Sequence, residues 1–225
     1  MFNKIYKEYD KLNHILSFGM DFYWRYDLVS SLISGKTNRA LDMAAGTLDV
    51  SIALLKKHQN LEIVAGDIAE NMLEFGKTKL KSNQIDRIKT QYINAEEIPF
   101  EDNTFDVVTI AYGIRNVEDR KRALQEMHRV LVTGGQLGIL EFSPIKEGFL
   151  SKIYNFYLEK IMPKIAKLFT KEESAYNYLA SSIKAFPSQE NFVQEMKEAG
   201  FEFVRCKKQT FGVSNLYIAI KSENK

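Results

Sequence analysis

The strongest constraint in the chain is a rhythm. Short apolar runs, each closed by a small or acidic residue, alternate with longer stretches whose apolar residues recur every three or four positions. Residues 40–44, 61–65, 88–93, 105–110 and 136–142 are too short for free-standing helices, and most are rich in β-branched side chains, so they read as strands. Between them, residues 48–58 and the segment carrying Met72, Leu73, Phe75, Gly76 and Leu80 have helical spacing. Residues 119–132 do too, with Ala123, Leu124, Met127, Val130 and Leu131 on one face and Thr133-Gly134-Gly135 as the expected stop. Strands joined through helices lie parallel and are covered on both faces, so the pattern predicts a doubly wound α/β sheet. A helix over 188–199, stopped by Gly200, and strands at 201–207 and 216–220 bring the sheet to seven strands, mostly parallel with the final one antiparallel.

Two segments depart from the rhythm. Residues 1–34 carry Phe2, Ile5, Tyr9, Leu12, Leu28, Val29, Leu32 and Ile33 at helical spacing and read as a helical cap. Residues 144–187 are helical, aromatic and lysine-rich and read as an insertion over the substrate side, before the last helix. With 225 residues and no repeat or glycine/serine linker, the expectation is one domain over 1–225. A net charge of +2 provides no global field for nucleic acid. The single cysteine, Cys206, excludes an internal disulfide and a thiolate zinc site, which points to a reducing, cytoplasmic setting. The amino terminus lacks the apolar core of a secretory signal, and no window approaches 18 uninterrupted apolar residues. None of His14, His58 and His128 has a second ligand at metal spacing, so no metal is expected.

In open α/β sheets ligands sit beyond the carboxyl ends of the strands. There, the first strand runs into Asp42-Met43-Ala44-Ala45-Gly46-Thr47-Leu48-Asp49, and the second ends at Asp67, 21 residues beyond Gly46. A small-residue turn lets backbone approach a ligand, and a carboxylate about 20 residues on can accept hydrogen bonds from both hydroxyls of a ribose. The alternative is an ordinary tight turn with Asp67 capping the next helix. A dinucleotide is disfavoured because Leu48 stands where a second glycine would let a pyrophosphate lie on the backbone. A nucleoside without phosphate, such as S-adenosylmethionine, suits better.

Residues 65–73 (AGDIAENML), 94–100 (NAEEIPF) with 103–106 (NTFD), and Arg129-Val130-Leu131 with Gly134-Gly135 resemble class I methyltransferase motifs. More specifically, Phe2-Asn3-Lys4-Ile5, Tyr9-Asp10-Lys11-Leu12-Asn13, Leu16-Ser17-Phe18-Gly19, Trp24-Arg25, residues 112–117 (YGIRNV), Leu140-Glu141-Phe142-Ser143 and residues 182–187 (SIKAFP) resemble the ubiquinone/menaquinone biosynthesis C-methyltransferases, in family order over nearly the whole chain. The resemblance implies a Rossmann-like fold with S-adenosylmethionine bound by Asp42, Gly46, Thr47, Asp67, Ile68, Asn94, Ala95 and Ala111, with Asp67 at the ribose and Asn94 and Ala95 at the adenine. Two positions depart from the family pattern. Leu48 replaces the second glycine of Gly-Thr-Gly-Asp, where it is expected to narrow the site or bend the backbone, and Ala111 stands where a polar residue is common.

The acceptor implied is a polyprenylated quinol, a naphthoquinol or a benzoquinol. Methyl transfer to carbon demands alignment and a ring made nucleophilic by loss or polarisation of a neighbouring hydroxyl proton. Arg115 and Asn116, just after the fourth strand, are the expected catalytic pair, the guanidinium stabilising a quinolate oxygen; their alternative role is helix capping or pairing with Glu118 and Asp119. Tyr6, His14 and Tyr112 are expected at the substrate, although aromatic residues at helical spacing can equally be plain core. Residues 146–171 interleave Lys152, Lys160, Lys164 and Lys167 with large apolar residues and contain Pro163, which should break the helix. That stretch reads either as a peripheral contact with the inner membrane face or as a lid or homodimer interface. Other acceptors, such as small phenols or lipids, and a non-catalytic partner role in a quinone-biosynthesis assembly, remain the alternatives.

Overall fold

The computed structural model describes residues 10–32, 37–145, 148–169 and 173–222. Seven strands form one sheet: β1 (Arg39–Met43), β2 (Glu62–Asp67), β3 (Ile88–Tyr92), β4 (Phe105–Ala111), β5 (Leu131–Phe142), β6 (Phe203–Gln209) and β7 (Ser214–Ile220). Their order is β3-β2-β1-β4-β5-β7-β6, and β7 alone runs antiparallel to the rest of the sheet. The chain winds outward from β1 to β3, then returns to place β4 beside β1. The crevice at this reversal, beyond the ends of β1 and β4, is where such sheets hold ligands.

Helices cover both faces. α2 (Met20–Ser31), α3 (Asp49–Lys57) and α4 (Glu70–Lys77) lie on one side, burying Trp24, Leu28, Leu48, Leu54 and Leu73 against Ala40, Ile63, Ala65 and Leu140. Gly138 in β5 lets α2 approach closely, since a Cβ there would stand 2.8 Å from both Leu28 Cδ1 and Leu32 Cδ1. The short α5 (Ser82–Ile85) leads into β3. On the other face α6 (Arg120–Val130) and α10 (Gln189–Glu198) bury Leu124, Met127, Phe192 and Met196 against Leu41, Val108 and Ile139. Asp119 and Ser188 cap these two helices, accepting from the backbone of Arg122 at 2.9 Å and of Asn191 at 3.3 Å.

A third apolar cluster joins the two irregular segments. Leu12 and Leu16 of α1 (residues 10–16) pack with Tyr154, Leu158, Met162 and Ile183, which belong to α7 (Gly148–Phe156), a π-turn (Tyr157–Ile161), α8 (Met162–Phe169) and α9 (Glu173–Ala185). The Tyr157 hydroxyl donates to the Leu16 carbonyl at 2.6 Å. Among the described residues no helix is long and apolar enough to cross a membrane.

Two local expectations change. Pro163 does not break its helix: the preceding π-turn widens the backbone, and Pro163 falls in the first turn of α8, where a missing N–H is tolerated. Thr133-Gly134-Gly135 does not end α6, which stops at Val130. β5 already begins at Leu131, and the glycines sit in an irregularity of the strand between the Phe105–Leu131 and Val107–Gln136 pairings. There Gly134, at φ 79°, donates to the Lys221 carbonyl at 2.7 Å.

Candidate active site

The loop after β1 turns sharply. Ala44, Gly46 and Leu48 all have left-handed backbones, at φ 50°, 52° and 69°. For the two non-glycine residues this costs on the order of 1–2 kcal/mol each. Asp67, at the end of β2, offsets part of it: its Oδ2 accepts from Gly46 N at 2.8 Å, and its Oδ1 accepts from Ala69 N at 2.7 Å. Asp67 therefore both fastens the loop and caps the turn into α4. Burial raises its pKa, against the lowering effect of these backbone N–H groups. A carboxylate has about four acceptor positions. The backbone N–H groups of Gly46, Ala69 and Ile68 do not exhaust them, so acceptor capacity remains on a side chain that lines the adjacent cavity.

That cavity has a volume of about 340 Å³ and is bounded by the ends of β1, β2, β3 and β4. Gly46, Asp67, Ile68, Asn94, Ala95 and Ala111 all line it, as does Asn116, whose Oδ1 is buried without a partner. Its outer wall is tied together by Glu96, whose Oε1 accepts from the backbone of Glu118 at 3.2 Å and of Asp119 at 3.1 Å. Met72, Tyr92, Glu96 and Val117 complete the walls and were not anticipated. Met72, Glu96 and Val117 lie within the motifs and Tyr92 two positions before one, but their side chains meet only in the folded chain.

Leu48 lines neither this cavity nor the smaller one beside it. Its side chain is fully buried and turns into the core, where Gly76 leaves room: a Cβ on Gly76 would stand 2.6 Å from Leu48 Cγ. The expected narrowing of the site by this leucine does not occur, because α4 carries a glycine opposite it.

The smaller cavity, about 60 Å³, meets the larger one at Ala44, Gly46, Ala111 and Tyr112 and is also lined by Asp10, His14, Arg25, Asp42, Thr47 and Asp49. Asp42 lies beneath it, accepting from Ser51 Oγ at 2.6 Å and Thr109 Oγ1 at 2.7 Å. Burial pushes its pKa up to about 6, even with both hydroxyls stabilising the anion. Thr47 donates to Asp10 Oδ1 at 2.6 Å, and Lys79 Nζ bridges Asp10 at 2.8 Å and Asp49 at 2.5 Å, so α1 is pinned to the loop. His14 Nδ1 lies 2.5 Å from Asp21 Oδ2, and its ring stacks on Phe22. Burial would raise the Asp21 carboxyl, but Ser17, Arg25 and His14 together hold it below the usual range. Tyr112 stacks on Phe142 with centroids 4.4 Å apart and meets Ser214 Oγ at 3.3 Å; burial raises its pKa well above the ordinary value, so it stays protonated. Tyr6 lies outside the described residues.

Arg115 and Asn116 sit together on a 3₁₀ turn (Ile114–Asn116) but face different spaces. Arg115 lines a third cavity of about 290 Å³ with Arg120, Tyr178, Ser182 and Phe186. Its Nη1 donates to Glu141 Oε1 at 2.8 Å and to the Tyr112 carbonyl, and its backbone N–H donates to Glu141 Oε2 at 3.2 Å. Glu141 is fully buried, and burial raises its pKa against the lowering effect of Arg115. Sequence reading did not identify Glu141 as the partner of Arg115; at 26 positions apart the two give no local signal.

The larger cavity suits the ligand expected. It offers a carboxylate for paired hydroxyls, a backbone loop open to close approach and apolar walls, with no lysine or arginine among its described lining residues to take a phosphate. The unpartnered Asn116 Oδ1 is a further acceptor for a ligand donor.

The model of the ubiE/COQ5 methyltransferase family matches residues 1–221. A demethylmenaquinone methyltransferase of Geobacillus sp. is 40% identical over 223 residues, covering 98% of this chain and 95% of that protein. A ubiquinone/menaquinone biosynthesis C-methyltransferase UbiE of Geobacter sulfurreducens is 42% identical, covering 98% and 87%. Among solved structures, a SAM-dependent methyltransferase of Thermotoga maritima superposes with a TM-score of 0.67 at 20% identity, covering 98% of both chains, which supports the fold.

Proposed function

Because the chain belongs to the ubiE/COQ5 methyltransferase family, we propose that it methylates a ring carbon of a polyprenylated quinol, taking demethylmenaquinol or the equivalent benzoquinol of the ubiquinone route as acceptor. The observation that carries the reading is the cavity at the β1/β4 crevice, where Asp67, Asn94, Ala95 and Gly46 surround a space suited to a phosphate-free nucleoside. When bound, S-adenosylmethionine supplies an electrophilic methyl group. Asp67 accepts from the ribose hydroxyls, Asn94 and Ala95 wall the base, and the Gly46 turn gives backbone access to the amino-acid end.

Toward the acceptor, Arg115 carries the positive charge that stabilises a quinolate oxygen, and Glu141 fixes its orientation through the buried ion pair. Asn116, in the wall of the larger cavity, orients the ring by hydrogen bonding, and Tyr112 supplies a neutral aromatic wall. In the transfer the methyl carbon–sulfur bond breaks and a carbon–carbon bond forms. The ring hydroxyl and the ring carbon each release a proton to water, and the hydroxyl is reprotonated on product release. Water is the proton acceptor because an arginine stays charged.

A prenylated substrate must be drawn from lipid, and the helical insertion is suited to that. Its inner face packs on α1, while Phe149, Ile153 and Phe156 stay exposed near Lys152 and Lys160, and the exposed Phe18 ring lies 6.0 Å from Tyr157. Apolar side chains beside lysines are the chemistry of peripheral contact with anionic lipid. The test of the proposed activity is incubation with methyl-labelled cofactor and short-tailed demethylated naphthoquinol or benzoquinol. Label on a ring carbon of either supports the reading and identifies the acceptor. Label on neither, from a protein that still binds S-adenosylhomocysteine, overturns it.

A further inference from the structure

Two large apolar side chains stand in solvent on a backbone that large side chains avoid. Phe18 and Phe211 have φ of 53° and 59°, and they are 79% and 80% exposed. A bulky residue at positive φ is strained and persists only where the surrounding structure fixes it. Leu48 uses the same backbone to reach the core, but neither phenylalanine gains burial from it. Both turns are fastened. Phe18 N donates to the Ile15 carbonyl at 3.1 Å and Gly19 N to that of His14 at 2.8 Å, which closes the end of α1. Thr210, itself at φ 45°, accepts the Trp24 indole N–H at 2.9 Å, and Val213 N closes the second turn onto the Thr210 carbonyl at 3.1 Å.

The two turns lie on one side of the molecule. Phe18 shortly precedes α2, and Trp24, about one helical turn into it, packs edge-on to Phe142 at the end of β5 and holds Thr210 just past the end of β6. Since β5 and β6 both run antiparallel to β7, these ends share the carboxyl edge of the sheet, where the β1/β4 cavity is also found. Val213, two residues after Phe211, packs against Tyr154 and Leu158, so the second turn adjoins the helix that exposes Phe149 and Phe156. From Phe203 to Val213 the chain carries Arg205, Lys207 and Lys208 and no acidic residue. Asp27 pairs with Lys207 at 2.8 Å, while Lys208 lies against the turn, its Cδ 4.0 Å from the place of a Cβ on Gly212. Projecting aromatic rings flanked by lysines match an anionic lipid surface, whereas the core of a protein–protein interface is depleted in lysine.

We propose that Phe18 and Phe211 are paired anchors that insert into an anionic lipid surface and hold the carboxyl edge of the sheet against it. The proposal rests on the prenylated acceptor proposed above and adds to the helical insertion two points of contact outside it. The test uses the full-length protein with vesicles of phosphatidylcholine and phosphatidylserine, some carrying bromine on the acyl chains. Trp24 is the sole tryptophan and is buried, so wild type is the control for a Phe211→Trp reporter. The reporter's emission should shift to the blue and be quenched by the brominated chains, while that of wild type is not. Phe18→Ser and Phe211→Ser should each lower vesicle partitioning about tenfold, the loss of one largely buried aromatic ring. Both should methylate a short-tailed acceptor in vesicle-free solution at the wild-type rate, which tests the activity separately from the membrane face. Wild type that does not sediment with the vesicles overturns the proposal, as does a sedimenting reporter whose emission the bromines leave unquenched. Serine variants that partition like wild type also overturn it, and so do variants that change only the oligomeric state or lose methylation in solution.

Discussion

Replacing Gly76 by alanine should forfeit the gain that substitution usually brings. In a helix interior, glycine to alanine normally stabilises by about 1 kcal/mol through backbone entropy. At Gly76 the added Cβ would stand 2.6 Å from Leu48 Cγ and 2.9 Å from the Thr47 carbonyl carbon, both closer than real Cβ contacts. Leu48 is fully buried and held in a left-handed backbone, so it yields only by moving the loop. Overpacking of this kind costs about 1–3 kcal/mol, which outweighs the helical gain at the upper end and cancels it at the lower. The displaced residues belong to the turn whose Gly46 N–H is held by Asp67. Gly76→Ala should therefore lower S-adenosylhomocysteine affinity whatever its net effect on stability. Denaturant unfolding and calorimetric titration of wild type, Gly76→Ala, Leu48→Gly and the double variant form the assay. The double variant should recover cofactor affinity relative to Gly76→Ala, because the leucine contact is gone and only the Thr47 contact remains. Wild-type affinity in Gly76→Ala, or an equal loss with and without Leu48, refutes the reasoning.

Three further outcomes follow from the site. Arg115→Ala should abolish methyl transfer while S-adenosylhomocysteine affinity stays within about threefold of wild type, since Arg115 lines a separate cavity; turnover at the wild-type rate contradicts its assigned role. Asp42 has a folded pKa raised to about 6 from an ordinary 3.8, so the folded state binds the extra proton between those values, and this group's contribution to stability falls as pH rises through that window. The stability of wild type relative to Asp42→Asn should therefore improve by about 2 kcal/mol from pH 7 to pH 4, and a pH-independent difference in urea unfolding contradicts it. Phe149→Asp with Phe156→Asp should reduce co-sedimentation with phosphatidylserine vesicles at low salt; undiminished sedimentation removes the assigned membrane face.

What was legible in the sequence was what is local. Most strands announce themselves by a short apolar run between turn residues, the largely polar β3 and β6 excepted, and the Gly46-to-Asp67 spacing holds because both lie at ends of adjacent parallel strands paired from Arg39–Glu62 to Met43–Gly66. Leu48 misled because a turn position reveals nothing of where the side chain points; that depends on Gly76, which lies on another element. Glycine likewise has more than one use, and Gly134-Gly135 serves a strand irregularity pinned by Lys221 rather than a helix end. The smaller cavity was hidden for a similar reason. Asp10, Thr47 and Lys79 meet only when α1 folds over the loop, and no periodicity marks contacts 32 to 69 residues apart.

The most direct measurement compares S-adenosylhomocysteine with its 2′,3′-dideoxy analogue on wild type and Asp67→Asn. If the carboxylate at the tip of β2 grips the sugar, wild type should prefer the natural ligand by about tenfold or more, and the variant should lose most of that preference. Indifference of the wild-type protein to the missing hydroxyls would contradict the assignment of this crevice as the cofactor site.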